Sequence, residues 1–207
     1  MHRTRILALA ALSVLLAGSP GAEAAPLLPG DTLSPVPPLA PPQGSVAGHV
    51  DATFQSTSGE FTGRLSEDVI RKADNTLAFV YQLTNASAPL LTGAGLSDYG
   101  TFATDVGISG TGVAPGSVSR SGGAGDTVTF AFSPGMGMGA SSTLLVIDTD
   151  ATVFGLGAVD LTGTGGAAAA VAALGPTPTP EPSGLALAGV GLAGLLGFAW
   201  RKRRTPA

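Results

Sequence analysis

Side chains suited to acid–base, nucleophilic or metal chemistry are few in this 207-residue chain. Cysteine is absent, which removes thiol catalysis, disulfides and Cys-ligated metals together. Histidine occurs only as His2 and His49, so any Ser-His-Asp machinery outside the first residues must use His49, with Asp51 two positions on. Their setting, GHVDATF, alternates as a strand does, and no GxSxG elbow exists to expose a nucleophile. His49 is therefore read as a satisfied or surface strand histidine.

Other constellations fare no better. Asp148-Thr149-Asp150 offers clustered hard oxygens of the kind calcium selects, but it lacks the Gly and distal Glu of an EF-hand loop. Two aspartates at a strand end commonly form turns. Glu67 and Asp68 are adjacent, so on a strand they face opposite sides and cannot flank one glycosidic bond. Met136 and Met138, in PGMGMGA, are read as part of a flexible Gly-rich loop instead of copper ligands. Tyr99, in LSDYGTF, is expected in an exposed loop, and one aromatic makes no sugar platform. The expectation is a chain with no catalytic site, no metal site and no cofactor. Two other readings are a calcium- or carbohydrate-binding extracellular module and a surface hydrolase dependent on His49.

The elements that position these residues are strands. EFTGRLSEDVI puts Phe61, Gly63, Leu65, Glu67 and Val69 on one face, and LAFVYQLTN does the same with Leu77, Phe79, Tyr81 and Leu83. Lys72-Ala73-Asp74-Asn75 supplies the turn between them. Further strands are expected around GHVDATF, TFATDVGIS, DTVTFAF, SSTLLVID, TVFGLGAVD and AAAVAAL. Eight or nine short strands with turn signals between them predict an all-β antiparallel sandwich or jelly roll over residues 45–174.

Charge is distributed unevenly. Six of the ten basic residues, Arg3, Arg5, Arg201, Lys202, Arg203 and Arg204, lie in the terminal segments. Between Ala25 and Pro182 four basic residues face 13 acidic ones, a formal charge of −9. That balance excludes a cationic nucleic-acid surface.

The flanks read as targeting segments. Residues 1–24 have the charged, apolar and small-residue parts of a signal peptide, with Ala22-Glu23-Ala24 as an A-x-A site and cleavage by signal peptidase expected after Ala24. Residues 25–44, with Pro at 26, 29, 35, 37, 38, 41 and 42, are expected to be an extended linker. A second Pro-rich linker is expected over 175–182, followed by a transmembrane helix and basic tail over 183–207. Gly184 to Trp200 is an uncharged run of 17 residues, roughly 25 Å as a helix. Trp200 would sit at the interface, with Arg201 to Arg204 held on the cytoplasmic side of the inner membrane.

Pro180-Glu181-Pro182-Ser183, then the Gly/Ala/Leu-rich span, then Trp200-Arg201-Lys202-Arg203-Arg204, resembles a PEP-CTERM protein-sorting domain. The resemblance covers about an eighth of the chain. It implies recognition by exosortase, a membrane-embedded cysteine transpeptidase of Gram-negative bacteria that make exopolysaccharide. Pro180, Glu181 and Pro182 would be the recognition motif, with cleavage near it. GEFTGRLSEDVIRKADNTLAFVYQLTN is also similar to the β domains of such proteins. The implied function is a secreted, non-enzymatic protein of the cell surface or extracellular matrix, associated with exopolysaccharide in biofilm. Its precursor would be anchored in the inner membrane.

Overall fold

The computed structural model describes residues 24–178 and contains twelve strands and one 3-10 turn. The strands are β1 (Ala25–Pro26), β2 (Thr32–Leu33), β3 (Ser45–Gln55), β4 (Thr62–Arg71), β5 (Leu77–Asn85), β6 (Leu91–Leu96), β7 (Thr104–Ser109), β8 (Ser117–Arg120), β9 (Val128–Met136), β10 (Leu144–Thr149), β11 (Phe154–Gly163) and β12 (Ala168–Pro176). They form two six-stranded sheets, ordered β1-β7-β10-β5-β4-β3 and β12-β11-β6-β9-β8-β2, with every strand pair antiparallel. One hydrophobic cluster takes side chains from both sheets, so the arrangement is sandwich-like.

Alternation decides most of the core. On β4, Leu65 and Val69 are fully buried, and on β5 Leu77, Phe79 and Leu83 are too. The β4–β5 hairpin closes at the expected turn, where Asn75 N–H donates to the Lys72 carbonyl and Asn75 takes φ 70°. Each predicted strand is present, including AAAVAAL, which pairs with β11 from Ala168 to Pro176. Four strands were not expected: β1 and β2, inside the predicted linker, and β6 and β8. LTGAGL and SVSR are short and poor in β-branched residues, so local preference does not announce them.

Residues 25–44 are not a free linker, and this is the main correction to the sequence reading. The segment closes an edge of each sheet: β1 pairs with β7, and β2 pairs with β8. Leu27 and Val36 are buried in the core at 0% and 4% exposure. Ile108 N–H then donates to the Pro37 carbonyl (2.9 Å), and Leu39 N–H to that of Ile108 (2.7 Å). Proline density did not prevent docking because edge positions tolerate a missing N–H. Residues 40–44 then lead to β3 on the far side of the same sheet. Leu39, Ala40, Pro42 and Gln43 line a cleft of about 390 Å³ with Lys72 and Asp148. Ala78, Val80 and Val146, which alternation points away from the shared core, are buried as well. Leu27→Ala is expected to cost about 2–5 kcal/mol of stability in urea denaturation. A change below about 0.5 kcal/mol would show that the arm is not part of the folded unit.

The Gly-rich segment PGMGMGA is divided between core and surface. Met136 ends β9 and is fully buried, whereas Met138 is 70% exposed. The two methionines therefore do not form a pair of ligands. Gly48 lies beside a bulge in β3, where a Cβ would come within 2.9 Å of both Leu174 and Phe154. A side chain there would have to displace the tips of Leu174 and Phe154, which pack against the glycine from the other sheet.

Candidate functional site

Three groups of polar side chains warrant a chemical reading. The first lies inside. Period-two alternation carries Glu67 onto the same face as Leu65 and Val69, and it is only 1% exposed. Its Oε2 accepts the Leu174 N–H of β12 at 2.7 Å, while Oε1 has no hydrogen-bond partner. Tyr81, directly across on β5, donates its hydroxyl to the Leu174 carbonyl at 3.1 Å and shares a 2.8 Å hydrogen bond with the Tyr99 hydroxyl. Tyr99 is fully buried, contrary to the exposed loop expected for it. Its ring meets Phe79 edge-on at 5.9 Å, which supplies the apolar contact that draws it inward.

Burial raises the Glu67 pKa to about 7, opposed by the Leu174 N–H and the Tyr81 hydroxyl and reinforced by the nearby Asp68 charge. Burial likewise raises the pKa of both tyrosines, which stay neutral. The one hydrogen bond this carboxyl makes is to backbone of its own chain. The trio ties the C-terminal strand of one sheet to the interior of the other.

The second group lies on the outer face of β3 and β4. His49 Nδ1 is 2.7 Å from Asp68 Oδ1, and its Nε2 is 3.7 Å from Asp51 Oδ2. Arg64 donates to both Asp51 oxygens. The hydrogen bond with Asp68 is the first cause of a raised His49 pKa, and the hydrogen bond from Arg64 is the first cause of a lowered Asp51 pKa. His49 is thus one member of an exposed charge ladder: Asp68 holds its Nδ1, while the 3.7 Å contact of Nε2 with Asp51 is longer than a hydrogen bond. Beside it, Asp51, Arg64, Ser66, Gln82 and Thr84 line a shallow polar cleft of about 210 Å³.

The third group includes the aspartates weighed for calcium. Asp148 accepts a hydrogen bond from Lys72 Nζ at 2.5 Å, while Asp150 accepts the Ala103 N–H at 3.0 Å. Asp105 pairs across from Asp148, and its pKa is raised by burial and then by that charge. The two aspartates are thus turned to separate partners. Among the described residues no three His, Cys, Asp or Glu side chains converge in a way that could hold a metal.

Of the residues proposed for targeting, Ala24 is half-buried and directly precedes β1. Ala22 lies outside the described residues, as do Pro180, Glu181, Pro182, Trp200, Arg201, Lys202, Arg203 and Arg204 and the proposed span itself. Among the described residues no helix is long and apolar enough to cross a membrane. Sequence reasoning missed Arg120, which is 5% exposed and donates to four backbone carbonyls. Its signal was an arginine at an apolar position of alternating SVSR, visible only once that stretch is known to be a strand.

Residues 178–204 match the PEP-CTERM protein-sorting motif. The chain carries a PEP-CTERM sorting signal. Comparison with curated proteins and with solved structures gives no match. The PEP-CTERM motif begins two residues beyond the end of β12 at Pro176, so the folded part passes almost directly into the signal. Possession of the PEP-CTERM motif implies export, sorting to the cell surface and processing by exosortase.

Proposed function

We propose that this chain is a secreted, non-enzymatic β-sandwich protein that exosortase releases from the inner membrane to the cell surface or extracellular matrix, where it associates with exopolysaccharide in biofilm. The observation that carries the reading is the PEP-CTERM motif at residues 178–204, placed immediately after the last strand. The polar groups of the folded part are consistent with a non-catalytic role. Glu67 is sealed inside, His49 is bracketed by carboxylates, and Asp148 is engaged by Lys72. In this reading signal peptidase removes residues 1–24, the apolar span holds the precursor in the membrane, and Pro180-Glu181-Pro182 directs its removal.

Glu181→Ala is expected to leave export intact and to trap the precursor in the membrane fraction. Intact mass of the released wild-type protein should correspond to a chain starting at Ala25 and lacking Trp200 and the basic residues. A released species that retains Trp200 and Arg201 would overturn processing at the motif. Co-fractionation of the mature protein with extracted exopolysaccharide tests its destination, and a protein found only in the polysaccharide-free medium would contradict the matrix role.

A further inference from the structure

The arm formed by residues 25–39 is docked along the edges of β7 and β8. Backbone groups provide most of the recognition. Leu27 N–H donates to the Thr104 carbonyl (2.8 Å), Arg120 N–H to that of Asp31 (2.9 Å), and Gly30 N–H to that of Arg120 (3.2 Å). The Ser34 hydroxyl reaches the Gly116 carbonyl at 3.0 Å. Buried Arg120 donates Nη1 to the Leu27 carbonyl at 3.0 Å, while its other nitrogens hold Tyr99, Phe102 and Gly125. Leu27 and Val36 are the two apolar anchors. This is recognition by strand addition: main-chain bonds supply affinity, and pockets for spaced side chains supply register.

The arm joins the rest of the fold through residues 40–44, Ala-Pro-Pro-Gln-Gly, four of which are exposed. No disulfide fastens it, since the chain has no cysteine. When the arm leaves, β7 and β8 lose their edge partners, and an open edge pairs with any strand of matching register. The one peptide known to match is residues 25–39 of this sequence.

We propose that these edges accept residues 25–39 from a second copy of the chain, so that neighbouring copies exchange arms. Every contact above is preserved in the exchanged form, and the difference is confined to residues 40–44. The closed form is favoured by its effective concentration, which is on the order of millimolar for a short linker. Exchange therefore becomes populated when copies are crowded to a comparable density. Pro41 and Pro42 favour an extended connection, which suits an arm reaching outward.

The register supplies the test. Thr32 pairs with Ser119 across β2 and β8, and the absence of native cysteine makes an introduced pair unique. The secreted protein is prepared as Thr32→Cys and, separately, as Ser119→Cys, and the two are mixed under mild oxidation across a concentration series. Disulfide-linked heterodimer, identified by mass, is expected to rise with concentration and to exceed the control by at least tenfold. The control pairs Thr32→Cys with Asp160→Cys, on exposed β11 away from the arm. A chain carrying both Thr32→Cys and Ser119→Cys should close its bridge within the monomer in dilute solution, showing that the pair is competent and the fold intact. If that bridge forms while the mixture yields no more heterodimer than the control, arm exchange is excluded.

Discussion

Replacing Glu67 by Gln stabilises the protein above pH 7 and flattens its stability against pH. The carboxyl is buried with one oxygen unpartnered, so its ionised form is disfavoured in the folded state. Its pKa rises from an ordinary 4.5 to about 7, meaning that the folded chain holds the proton more tightly than the unfolded one. The contribution from this proton is fully present below about pH 4.5. It is lost as pH rises toward 7 and changes no further above that value, a total of about 3 kcal/mol. Glutamine keeps an oxygen to accept the Leu174 N–H and carries no charge to desolvate. Urea denaturation at pH 5 and pH 8 should show little difference between the proteins at the lower pH and a gain of about 2–3 kcal/mol for the variant at the higher. His49 also has a raised pKa, so its contribution too is present at low pH and lost as pH rises through its folded value. The readout is accordingly the difference between the two proteins. Equal slopes from pH 5 to pH 8 would show that Glu67 ionises freely in the folded state.

Arg120→Met is expected to be severely destabilising, by about 3–5 kcal/mol, because several buried carbonyls lose their donor at once. The guanidinium donates to the carbonyls of Leu27, Tyr99, Phe102 and Gly125 at 2.6 to 3.0 Å. Those acceptors come from the arm, from the loop between β6 and β7, and from the turn before β9. Methionine fills similar space but leaves four carbonyls without that donor in a site closed to water. Arg120→Lys should recover little, because one ammonium cannot span acceptors that a planar fork reaches from separate nitrogens. Urea midpoints measure the loss, and hydrogen exchange at Leu27 should show the arm opening along with it. A loss below about 1 kcal/mol would mean that water replaces the guanidinium readily.

Both residues show where sequence reading ran short. Glu67 was placed on the inner face by alternation alone, but the partner that holds it there, Leu174, lies 107 positions away on the other sheet. The candidate charge ladder was half visible: His49 and Asp51 share a strand, while Asp68 and Arg64 join them only through the pairing of β3 with β4. Proline content suggested that residues 25–44 were a linker, because proline is hostile to sheet interiors. Leu27 and Val36, spaced among those prolines, were the overlooked sign of docking.

The sequence by itself determined the destination of this protein. A sorting signal is a linear peptide read by another protein, so its residue types in order are its meaning, and residues 178–204 were recognisable without a fold. It also determined the strands with clear alternation, since a two-residue period is local chemistry. Tertiary structure decided the rest: that a Pro-rich arm completes both sheets, that outward Val80 and Val146 are covered, and that Glu67, Tyr81 and Arg120 are sealed inside. Burial at each of these sites depends on segments that are distant in the chain, and desolvation follows from burial. Charge, pKa and the docking of the arm therefore arise only after the two sheets have closed on one another.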